Sequence, residues 1–377
     1  MIPFNKASIT DLEVKYVTDA LLNGKSSGDG KYTSKVYEQF RDRFGIEHML
    51  LTTSGTTALE MASILADIKP GDDVIVPSFT FSSTANSFML RGAHPVFCDI
   101  RKDTMNIDEA LIEGLITPKT KAIYTVDYAG IPCDMDAVNE IAKKHGLIVI
   151  EDAAQAVGSK YKGRYAGTLS EFGCYSFHET KNYVMGEGGA IVINEPSYMD
   201  RAEIIREKGT NRRQVLNGLV DKYTWHDIGS SFLPSDVLAA IMYAQMERYD
   251  EIMEKRMFVW NSYAEELKDL EKAGKLILPV LPDYVEHNAH MFNIILPTAK
   301  IRSDLVYRLK EKDIYAYICY VPLHSSPVGL KLGYKPEACP VTEDYGERVL
   351  RLPLYADMTK DDVAKVIELI HDILNGN

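Results

Sequence analysis

Residues 176–189 read SFHETKNYVMGEGG and place one lysine, Lys181, between two segments of different character. An apolar run of β type, Gly173 to Phe177, precedes the lysine, and a glycine-rich turn from Gly186 to Gly189 follows it. A lone lysine after a strand is ordinarily a solvated strand end. The pattern indicates chemistry only if a second functional group is expected at the same place in the fold.

An acidic segment upstream provides such a group, since residues 151–155 read EDAAQ directly after the apolar run Leu147 to Ile150. In open α/β sheets, ligands bind beyond the carboxyl ends of the strands, so we expect Asp152 and Lys181 at the same edge. A lysine amine can hold an aldehyde cofactor covalently, and a carboxylate can keep a pyridine nitrogen protonated. The two residues together predict a site for pyridoxal phosphate (PLP). Either residue alone would be read as a turn, a helix cap or a solvated end.

A strand-to-helix turn earlier in the chain offers the kind of site that a phosphate group requires. Residues 52–59 read TTSGTTAL, in which Gly55 permits close approach and the N–H groups of Thr56 and Thr57 are expected at the start of a helix. The partial positive charge of a helix N-terminus favours an anion there. Simple N-capping by the hydroxyls is the alternative interpretation. The spacing is neither GxGxxG nor GxxxxGK[ST], so the turn does not indicate a dinucleotide or ATP site of those types.

Three further side chains are predicted to complete a cofactor site. Phe81 follows a predicted strand and can lie over a flat heteroaromatic ring. Gln155 can reach a ring oxygen from the same turn as Asp152, and Ser176 can donate a second hydrogen bond to the phosphate. Core packing of Phe81 and burial of Ser176 within its strand stay open as alternatives.

The composition limits the class of protein. With 377 residues the chain suits two domains, and 46% hydrophobic and 25% charged residues are ordinary for a globular protein. A net charge of −12 without a basic cluster predicts no nucleic-acid partner. Five scattered cysteines without a C-x-x-C pair, and histidines without H-E-x-x-H spacing, predict neither a disulfide framework nor a metal site. Since neither a signal peptide nor an apolar run of membrane length is found, we expect a cytoplasmic protein without a membrane partner.

Hydrophobic periodicity divides the chain into two parts. Seven short apolar runs between residues 49 and 193 predict buried strands, and helical spacing predicts helices over 57–66, 135–145 and 198–208. This alternation predicts an α/β fold, with a mainly parallel central sheet and helices on both faces. We expect a large cofactor-binding domain over residues 1–240. A smaller α+β domain over 241–377 is expected to begin with a long linking helix.

Four motifs in order resemble the DegT/StrS family of sugar aminotransferases, which are PLP-dependent enzymes of fold type I. They are SGTTALEMA at 54–62, GDDVIVPSFTFSSTAN at 71–86, EDAAQAVGS at 151–159 and SFHETKNYVMGEGG at 176–189. The resemblance runs from residue 1 to about residue 355 and includes RLPLY at 351–355. It implies the type I fold and PLP as the cofactor.

The resemblance also implies a role for each candidate residue of the cofactor site. Lys181 matches the lysine that carries PLP, and Asp152 matches the partner of the pyridine nitrogen. Gln155 matches the contact to the ring hydroxyl, and Phe81 the stacking aromatic. The implied phosphate contacts are Gly55, Thr56, Thr57 and Ser176.

The substrate side of the site is implied in the same way. His324 falls in the substrate-side loop of the family, and Tyr320 and His178 are further predicted substrate contacts. Two positions depart from the family pattern. Ser231 stands where an asparagine usually reaches the cofactor phosphate of the neighbouring subunit, and Asp127 stands where histidine is frequent, which puts part of the substrate pocket in doubt. The resemblance implies a homodimer with the active site at the subunit interface.

Within the family, segments such as MIPFN at 1–5 and VDKYTWHDIGSS at 220–231 resemble transaminases of a dTDP-linked 4-keto-6-deoxyhexose. The expected reaction uses L-glutamate to convert dTDP-4-keto-6-deoxy-D-glucose into dTDP-4-amino-4,6-dideoxy-D-galactose. The product would serve a cell-surface polysaccharide such as lipopolysaccharide O-antigen or enterobacterial common antigen. An equatorial 4-amino product and another nucleotide sugar stay open.

A non-catalytic PLP-binding protein is the alternative from a different class. Such relatives carry a DNA-binding domain ahead of these motifs, which here begin by residue 54. Related dehydratases have histidine in place of the lysine. We therefore expect an enzyme that transaminates.

Overall fold

The computed structural model describes residues 1–22, 25–216 and 218–376. The helices are α1 (Asp11–Leu22), α2 (Lys31–Phe44), α3 (Gly55–Leu65), α4 (Ser82–Met89), α5 (Glu109–Leu115), α6 (Met135–His145), α7 (Met199–Arg206), α8 (Arg212–Leu216), α9 (Asp236–Glu247), α10 (Tyr249–Glu266), α11 (Lys268–Lys272), α12 (Ala299–Glu311), α13 (Pro327–Lys331), α14 (Pro340–Arg348) and α15 (Lys360–Asn375). The strands are β1 (Met49–Thr52), β2 (Asp73–Pro77), β3 (His94–Cys98), β4 (Thr120–Val126), β5 (Ile148–Asp152), β6 (Lys160–Tyr161), β7 (Arg164–Tyr165), β8 (Phe172–Ser176), β9 (Gly189–Ile193), β10 (Val285–Glu286), β11 (Phe292–Ile295), β12 (Tyr317–Ile318) and β13 (Val349–Leu352).

The central sheet has seven strands in the order β1-β9-β8-β5-β4-β2-β3. All pairs among β8, β5, β4, β2 and β3 are parallel, and only β9 runs against its neighbours β1 and β8. The predicted mainly parallel sheet is therefore confirmed. Since β5 and β8 run in the same direction, their carboxyl ends at Asp152 and Ser176 lie at one edge.

Both faces of the sheet are covered, because successive strand residues point to opposite sides. Ile150 packs in one apolar cluster with residues of α3, α4 and α7. Its neighbour Val149 packs in another cluster with residues of α5 and α6. Further along that second face, α2 and α9 cover β1, β8 and β9. This alternation governs which acidic side chain at the end of β5 faces which layer.

The C-terminal part contains a small antiparallel sheet in the order β11-β13-β12, with α12 and α15 packed beside it. The predicted long linking helix is two helices, α9 and α10, that meet at Arg248. Arg248 leaves helical geometry at ψ 14° and its guanidinium binds Glu13 and the carbonyl of Ser8. Because α9 packs on α1 and α2 whereas α10 packs on α15, each helix belongs to a different layer. The domain boundary at residue 240 stays a prediction. In the described part of the chain, no helix combines the length and the apolar character that crossing a membrane requires.

Candidate active site

A cavity of about 420 Å³ lies at the carboxyl edge of the central sheet. Asp152 at the end of β5, Ser176 at the end of β8 and Lys181 in the loop after β8 all line it. The second part of the chain closes the cavity with residues of β13 and with Tyr320. The acid and the lysine that predict a PLP site therefore face one space.

Asp152 is buried and its carboxylate is held by two donors. The Thr84 hydroxyl donates to Oδ2 at 2.8 Å, and the Ala154 N–H donates to Oδ1 at 3.2 Å. Burial raises the pKa of Asp152, while both hydrogen bonds and the charge of Lys181 act in the opposite direction. The donors fix the orientation of the carboxylate and favour its ionised form.

Lys181 lies in the loop between β8 and β9, and backbone hydrogen bonds within this loop hold it in place. The Lys181 N–H donates to the carbonyl of His178, and the Phe177 N–H donates to the carbonyl of Gly188. Burial lowers the pKa of the Lys181 amine to about 8, against the attraction of Asp152. The lowered pKa increases the neutral fraction of the amine near physiological pH, and the neutral form is the nucleophile.

The residue after the lysine anchors this loop to the second part of the chain. Asn182 is buried, and its side-chain amide donates to the carbonyl of Asn288 at 2.7 Å. The other atom of that amide, Oδ1, lies 2.9 Å from Nδ1 of His290. This contact between distant segments limits the movement of Lys181 relative to the cavity.

The predicted phosphate turn is the N-terminus of α3. Its N-cap is Ser54, whose hydroxyl accepts from the Thr57 N–H at 3.1 Å while the Thr57 hydroxyl donates to the Ser54 carbonyl. For Thr57 the structure therefore matches the N-capping alternative, because both its N–H and its hydroxyl bind Ser54. Gly55, Thr56 and Ser176 do line the cavity. A Cβ on Gly55 would lie 2.8 Å from the Ser176 Cβ, so only glycine fits there.

Phe81 and Phe79 have different environments. Phe81 lines the cavity with 58% of its surface exposed, whereas Phe79 is a core residue at 1%. Gln155 also lines the cavity, but its amide is already engaged: Oε1 accepts from the Ala129 N–H at 2.7 Å and Nε2 donates to the Tyr320 hydroxyl at 2.8 Å. Stacking by Phe81 and a ring contact by Gln155 stay predictions, and the network places Tyr320 beside them.

The structure brings two of the three predicted substrate contacts to the cavity. Tyr320 and His178 line it. His324 does not, because it is 0% exposed and both ring nitrogens are engaged: Nδ1 lies 2.5 Å from the Ser78 hydroxyl and Nε2 lies 3.1 Å from the Pro336 carbonyl. The loop that carries His324 is tucked against β2, so the geometry gives no support to a substrate contact by this side chain.

The two departures from the family pattern also lie outside the cavity of their own chain. Ser231 is exposed and its backbone pairs with that of Glu207. Its predicted role toward a neighbouring subunit stays a prediction. Asp127 is 0% exposed and is not among the residues that line the cavity, so the effect of this departure on the substrate pocket stays a prediction.

Several residues on the cavity wall received no role from the sequence. They are Phe4 and Asn5 from the N-terminal segment, His290, and Arg351 on β13. The sequence did indicate each position: Phe4 and Asn5 lie in MIPFN, Arg351 lies in RLPLY, and His290 lies in NAHMF at 288–292, a segment that also resembles the family. The sequence places Gly189 in a flexible turn, but this residue begins β9. A Cβ there would lie 2.5 Å from the backbone of Ser54 and Gly55, so Gly189 keeps β9 against the phosphate turn.

The residues that line the cavity fit PLP. They supply a primary amine of lowered pKa and a buried carboxylate with fixed orientation. They also supply a helix N-terminus at Gly55, where the backbone lies so close to Ser176 that a Cβ would not fit. Lys181 would hold the aldehyde carbon, Asp152 the pyridine nitrogen, and the start of α3 the phosphate.

Comparison with known proteins agrees with this site. The chain matches the DegT/DnrJ/EryC1/StrS aminotransferase family over residues 7–371. It is 33% identical to the spore coat polysaccharide biosynthesis protein SpsC of Bacillus subtilis over 100% of this chain and 97% of that protein. It is 32% identical to GDP-perosamine synthase of Escherichia coli O157:H7 over 98% of each chain. The PLP form of a putative sugar aminotransferase, Spr1654 from Streptococcus pneumoniae, superimposes with a TM-score of 0.91 at 25% identity, covering 100% of this chain and 99% of that one.

The fold and the site together define a PLP-dependent aminotransferase of fold type I. More specifically, the chain belongs to the DegT/DnrJ/EryC1/StrS aminotransferase family, whose match spans nearly its whole length. It is a sugar aminotransferase of that family.

Proposed function

We propose that the protein transfers the amino group of L-glutamate to a nucleotide-linked 4-keto-6-deoxyhexose. The preferred reaction converts dTDP-4-keto-6-deoxy-D-glucose into dTDP-4-amino-4,6-dideoxy-D-galactose. The observation that carries the proposal is one cavity in which Lys181 and Asp152 face each other beside the N-terminus of α3. When bound, PLP supplies an electron-accepting ring that makes a C–H bond next to the transferred nitrogen acidic.

The side chains of the cavity have separate tasks in this reaction. Asp152 keeps a proton on the pyridine nitrogen, because its carboxylate is buried and held in place by Thr84 and Ala154. Lys181 Nζ takes and returns the mobile proton, which an amine with a pKa of about 8 can do near neutral pH. Tyr320 and His178 bound the space in which the sugar ring would lie. The enclosed part of the cavity limits access of water to the reacting carbon.

The nucleotide of the preferred substrate is dTDP, which is supported by sequence segments such as VDKYTWHDIGSS at 220–231. A GDP-linked sugar is the second candidate, because relatives from Escherichia coli and Caulobacter vibrioides, each 32% identical, are named GDP-perosamine synthase. The name of the Bacillus subtilis relative supports a role in making a surface polysaccharide.

The test is an incubation of the purified enzyme with glutamate and, separately, the dTDP, UDP and GDP forms of a 4-keto-6-deoxyhexose. We expect 2-oxoglutarate and an aminated sugar with the dTDP form. In the NMR spectrum of the product, a small coupling between ring protons 3 and 4 identifies the axial amine, and a large one the equatorial alternative. K181A is expected to give no product. Absence of 2-oxoglutarate with every nucleotide sugar, from a protein that binds PLP, would favour the non-catalytic alternative and refute the proposal.

We also propose that a second copy of the chain completes the site. The segment 219–231 carries five exposed apolar side chains and ends at exposed Ser231, so it presents a surface that another protomer can cover. The five side chains are Leu219, Val220, Tyr223, Trp225 and Ile228. Sedimentation of the PLP-bound enzyme should give a dimer, and a fully active monomer would contradict this part of the proposal.

A further inference from the structure

His290 is a side chain on the cavity wall whose two ring nitrogens have different surroundings. The residue is 8% exposed and its ring lines the cavity. Nδ1 lies 2.9 Å from Oδ1 of Asn182, whereas Nε2 has no hydrogen-bond partner among the described residues. The backbone that carries the ring is fixed, because the Arg256 guanidinium donates to the carbonyls of Ala289 and His290 at 3.1 and 2.6 Å. One nitrogen of a well-held ring is therefore left to meet a group inside the cavity.

The hydrogen bonds of Asn182 determine which nitrogen of His290 carries the proton. The NH₂ group of the Asn182 amide donates to the carbonyl of Asn288 at 2.7 Å, so its oxygen is the atom that faces the ring. An amide oxygen only accepts, and Nδ1 of His290 is therefore the protonated nitrogen. The ring is neutral, because burial lowers the pKa of His290 well below its ordinary value and the charge of Lys181 acts in the same direction. Nε2 is then a bare acceptor that adds no charge to the cavity.

Lys181 provides the complementary group at the same cavity. Its Nζ has no hydrogen-bond partner among the described residues, and its charge acts on His290. An ammonium has three donors and no acceptor, and in lysine it is carried on a flexible stem that lets it turn. The carboxylate of Asp152 is held by its own donors, and the Tyr320 hydroxyl already accepts from Gln155. A lysine amine that has left the cofactor needs an acceptor, and Nε2 of His290 is an unused one.

We propose that His290 is a positioning residue for Lys181, in which the bare Nε2 accepts a hydrogen bond from Nζ whenever the amine is not bonded to the cofactor. The inference rests on the proton-carrying role proposed above for Lys181. His290 makes and breaks no bond to carbon, and its own proton stays on Nδ1. The proton that Lys181 takes from one carbon is returned to the other, and Nε2 holds the ammonium in between. Asn182 keeps the lone pair of Nε2 toward the cavity by fixing the ring at Nδ1.

A hydroxyl of the sugar substrate is the other donor that could meet Nε2 of His290. A bare ring nitrogen accepts from a hydroxyl as well as from an ammonium. The amine of Lys181 is favoured because its charge already acts on the ring in the protein alone. The amine is also present in both half-reactions, whereas a sugar hydroxyl is present in only one. The two donors can therefore be separated by experiment.

The first experiment follows the capture of PLP by the cofactor-free protein and needs no sugar. In H290N the amide can replace Nδ1 as the donor to Asn182, but it provides no atom at the place of Nε2. The pH midpoint of capture, read from the absorbance near ~420 nm, should lie roughly one pH unit below that of the wild type, because the ammonium loses a charge-assisted hydrogen bond. A midpoint equal to that of the wild type would overturn the inference. The other charged or titratable groups that act on the amine or on the ring are unchanged in H290N; they are Asp152, Arg256, Cys319 and Arg351.

Two further variants separate this role from a purely structural one. In H290Q the longer side chain brings an amide oxygen to the place of Nε2 but weakens the contact to Asn182, so its midpoint should lie close to that of the wild type. A midpoint that is shifted in H290Q and unshifted in H290N would make His290 a structural anchor and overturn the inference. H287N is the matched control, because Nδ1 of His287 accepts from the Ala289 N–H at 3.2 Å, as an asparagine oxygen can, and His287 does not line the cavity. Its midpoint should equal that of the wild type.

The second experiment compares the two half-reactions in single turnovers of the PLP-bound enzyme. Because Lys181 moves the proton in both, the rate constant of H290N at saturating donor should fall roughly tenfold with glutamate and with the aminated nucleotide sugar alike. The donor concentration that gives half of the maximal rate should change little. A loss confined to the sugar half-reaction would assign Nε2 to a sugar hydroxyl and overturn the inference. If the capture midpoint shifts in H290N but the wild type aminates no nucleotide sugar, the contact between His290 and Lys181 stands and the proposed function fails.

Discussion

Glu151 and Asp152 are adjacent acids at the end of β5, yet they face opposite sides of the sheet. Asp152 points toward α3 and α4 and lines the cavity, where Lys181 supplies an opposite charge. Glu151 points into the other layer, where it accepts from the N–H groups of Gly167 at 2.6 Å and Leu169 at 3.0 Å. Each carboxylate has two donors. The difference between them is therefore the group opposite, since Asp152 meets a cation and Glu151 meets another acid.

That other acid is Asp127, the position at which the family frequently has histidine. Its Oδ1 accepts from the Cys133 N–H at 3.2 Å, while Oδ2 is buried without a partner unless it carries a proton. Burial, followed by the charge of Glu151, raises the pKa of Asp127 well above its ordinary value. A neutral Asp127 that donates to ionised Glu151 satisfies both side chains. The Asp127–Glu151 pair therefore has a structural role, whereas Asp152 next to it has a catalytic one. The two roles are separated because successive side chains of β5 face opposite sides of the sheet.

Asp152→Asn should produce the largest effect on activity in this comparison. The amide cannot hold a proton on the pyridine nitrogen, so kcat is expected to fall roughly 10²–10³-fold, as for other lost electrostatic contacts in an active site. The melting temperature should change little, because the substitution also removes a buried charge. Steady-state kinetics and thermal unfolding of the same preparation test both parts. A variant within a few-fold of wild-type kcat would contradict the role given to Asp152.

Glu151→Gln should show the reverse pattern. One of the two backbone N–H groups that Glu151 now satisfies would face an amide NH₂, and the bond from Asp127 would be weakened. The expected loss is about 2–3 kcal/mol in the free energy of unfolding. Denaturant titration measures it, with kcat per folded molecule close to that of the wild type. If the kcat of E151Q falls as far as that of D152N while its stability equals that of the wild type, then the two faces of β5 do not separate a structural acid from a catalytic one.

Much of the large domain could be predicted from the sequence because its strands are buried on both faces. Such strands read as continuous apolar runs, and the first and last strands of the predicted stretch, residues 49 to 193, are β1, which begins at Met49, and β9, which ends at Ile193. Since ligands bind at the carboxyl edge of such sheets, the sequence alone also predicts that Asp152 and Lys181 lie together. It does not predict the reversed direction of β9, although the short connection through residues 177–188 has no room for a crossover helix.

The substrate side was harder to predict because its geometry depends on contacts between distant segments. His324 is held by the Ser78 hydroxyl and the Pro336 carbonyl, and the local sequence pattern does not indicate either contact. Arg351 lies within a family-like motif, but its relation to Lys181 depends on how β13 packs against the large domain. Sequence resemblance located these segments, and tertiary packing determined which side chains reach the cavity.

A smaller effect is expected in the pH dependence with which the Lys181 amine captures PLP. Its pKa is lowered from 10.5 to about 8, so the neutral fraction that can capture PLP falls ~tenfold for each pH unit below that value. The rate at which the cofactor-free protein develops absorbance near ~420 nm should rise with pH and level off above about 8. In D152N the ammonium loses its attractive partner, so the midpoint should move to lower pH. A midpoint near 10.5 in the wild type would show that the amine is not buried as described.

Asp127→Asn is expected to have the smallest effect, and its pH dependence carries the information. The amide retains a donor toward Glu151, so kcat should be unchanged.

In the wild type, Asp127 keeps its proton when folded and loses it when unfolded above the ordinary carboxyl pKa. The unfolded state then binds fewer protons, and wild-type stability falls as pH rises through that window. D127N lacks this loss, so in denaturant titrations its stability relative to the wild type should increase as the pH rises above the ordinary carboxyl pKa. A difference that is constant with pH, or that favours the wild type more at higher pH, would mean that Asp127 is ionised in the folded protein and that the Glu151 pair is not held by a shared proton.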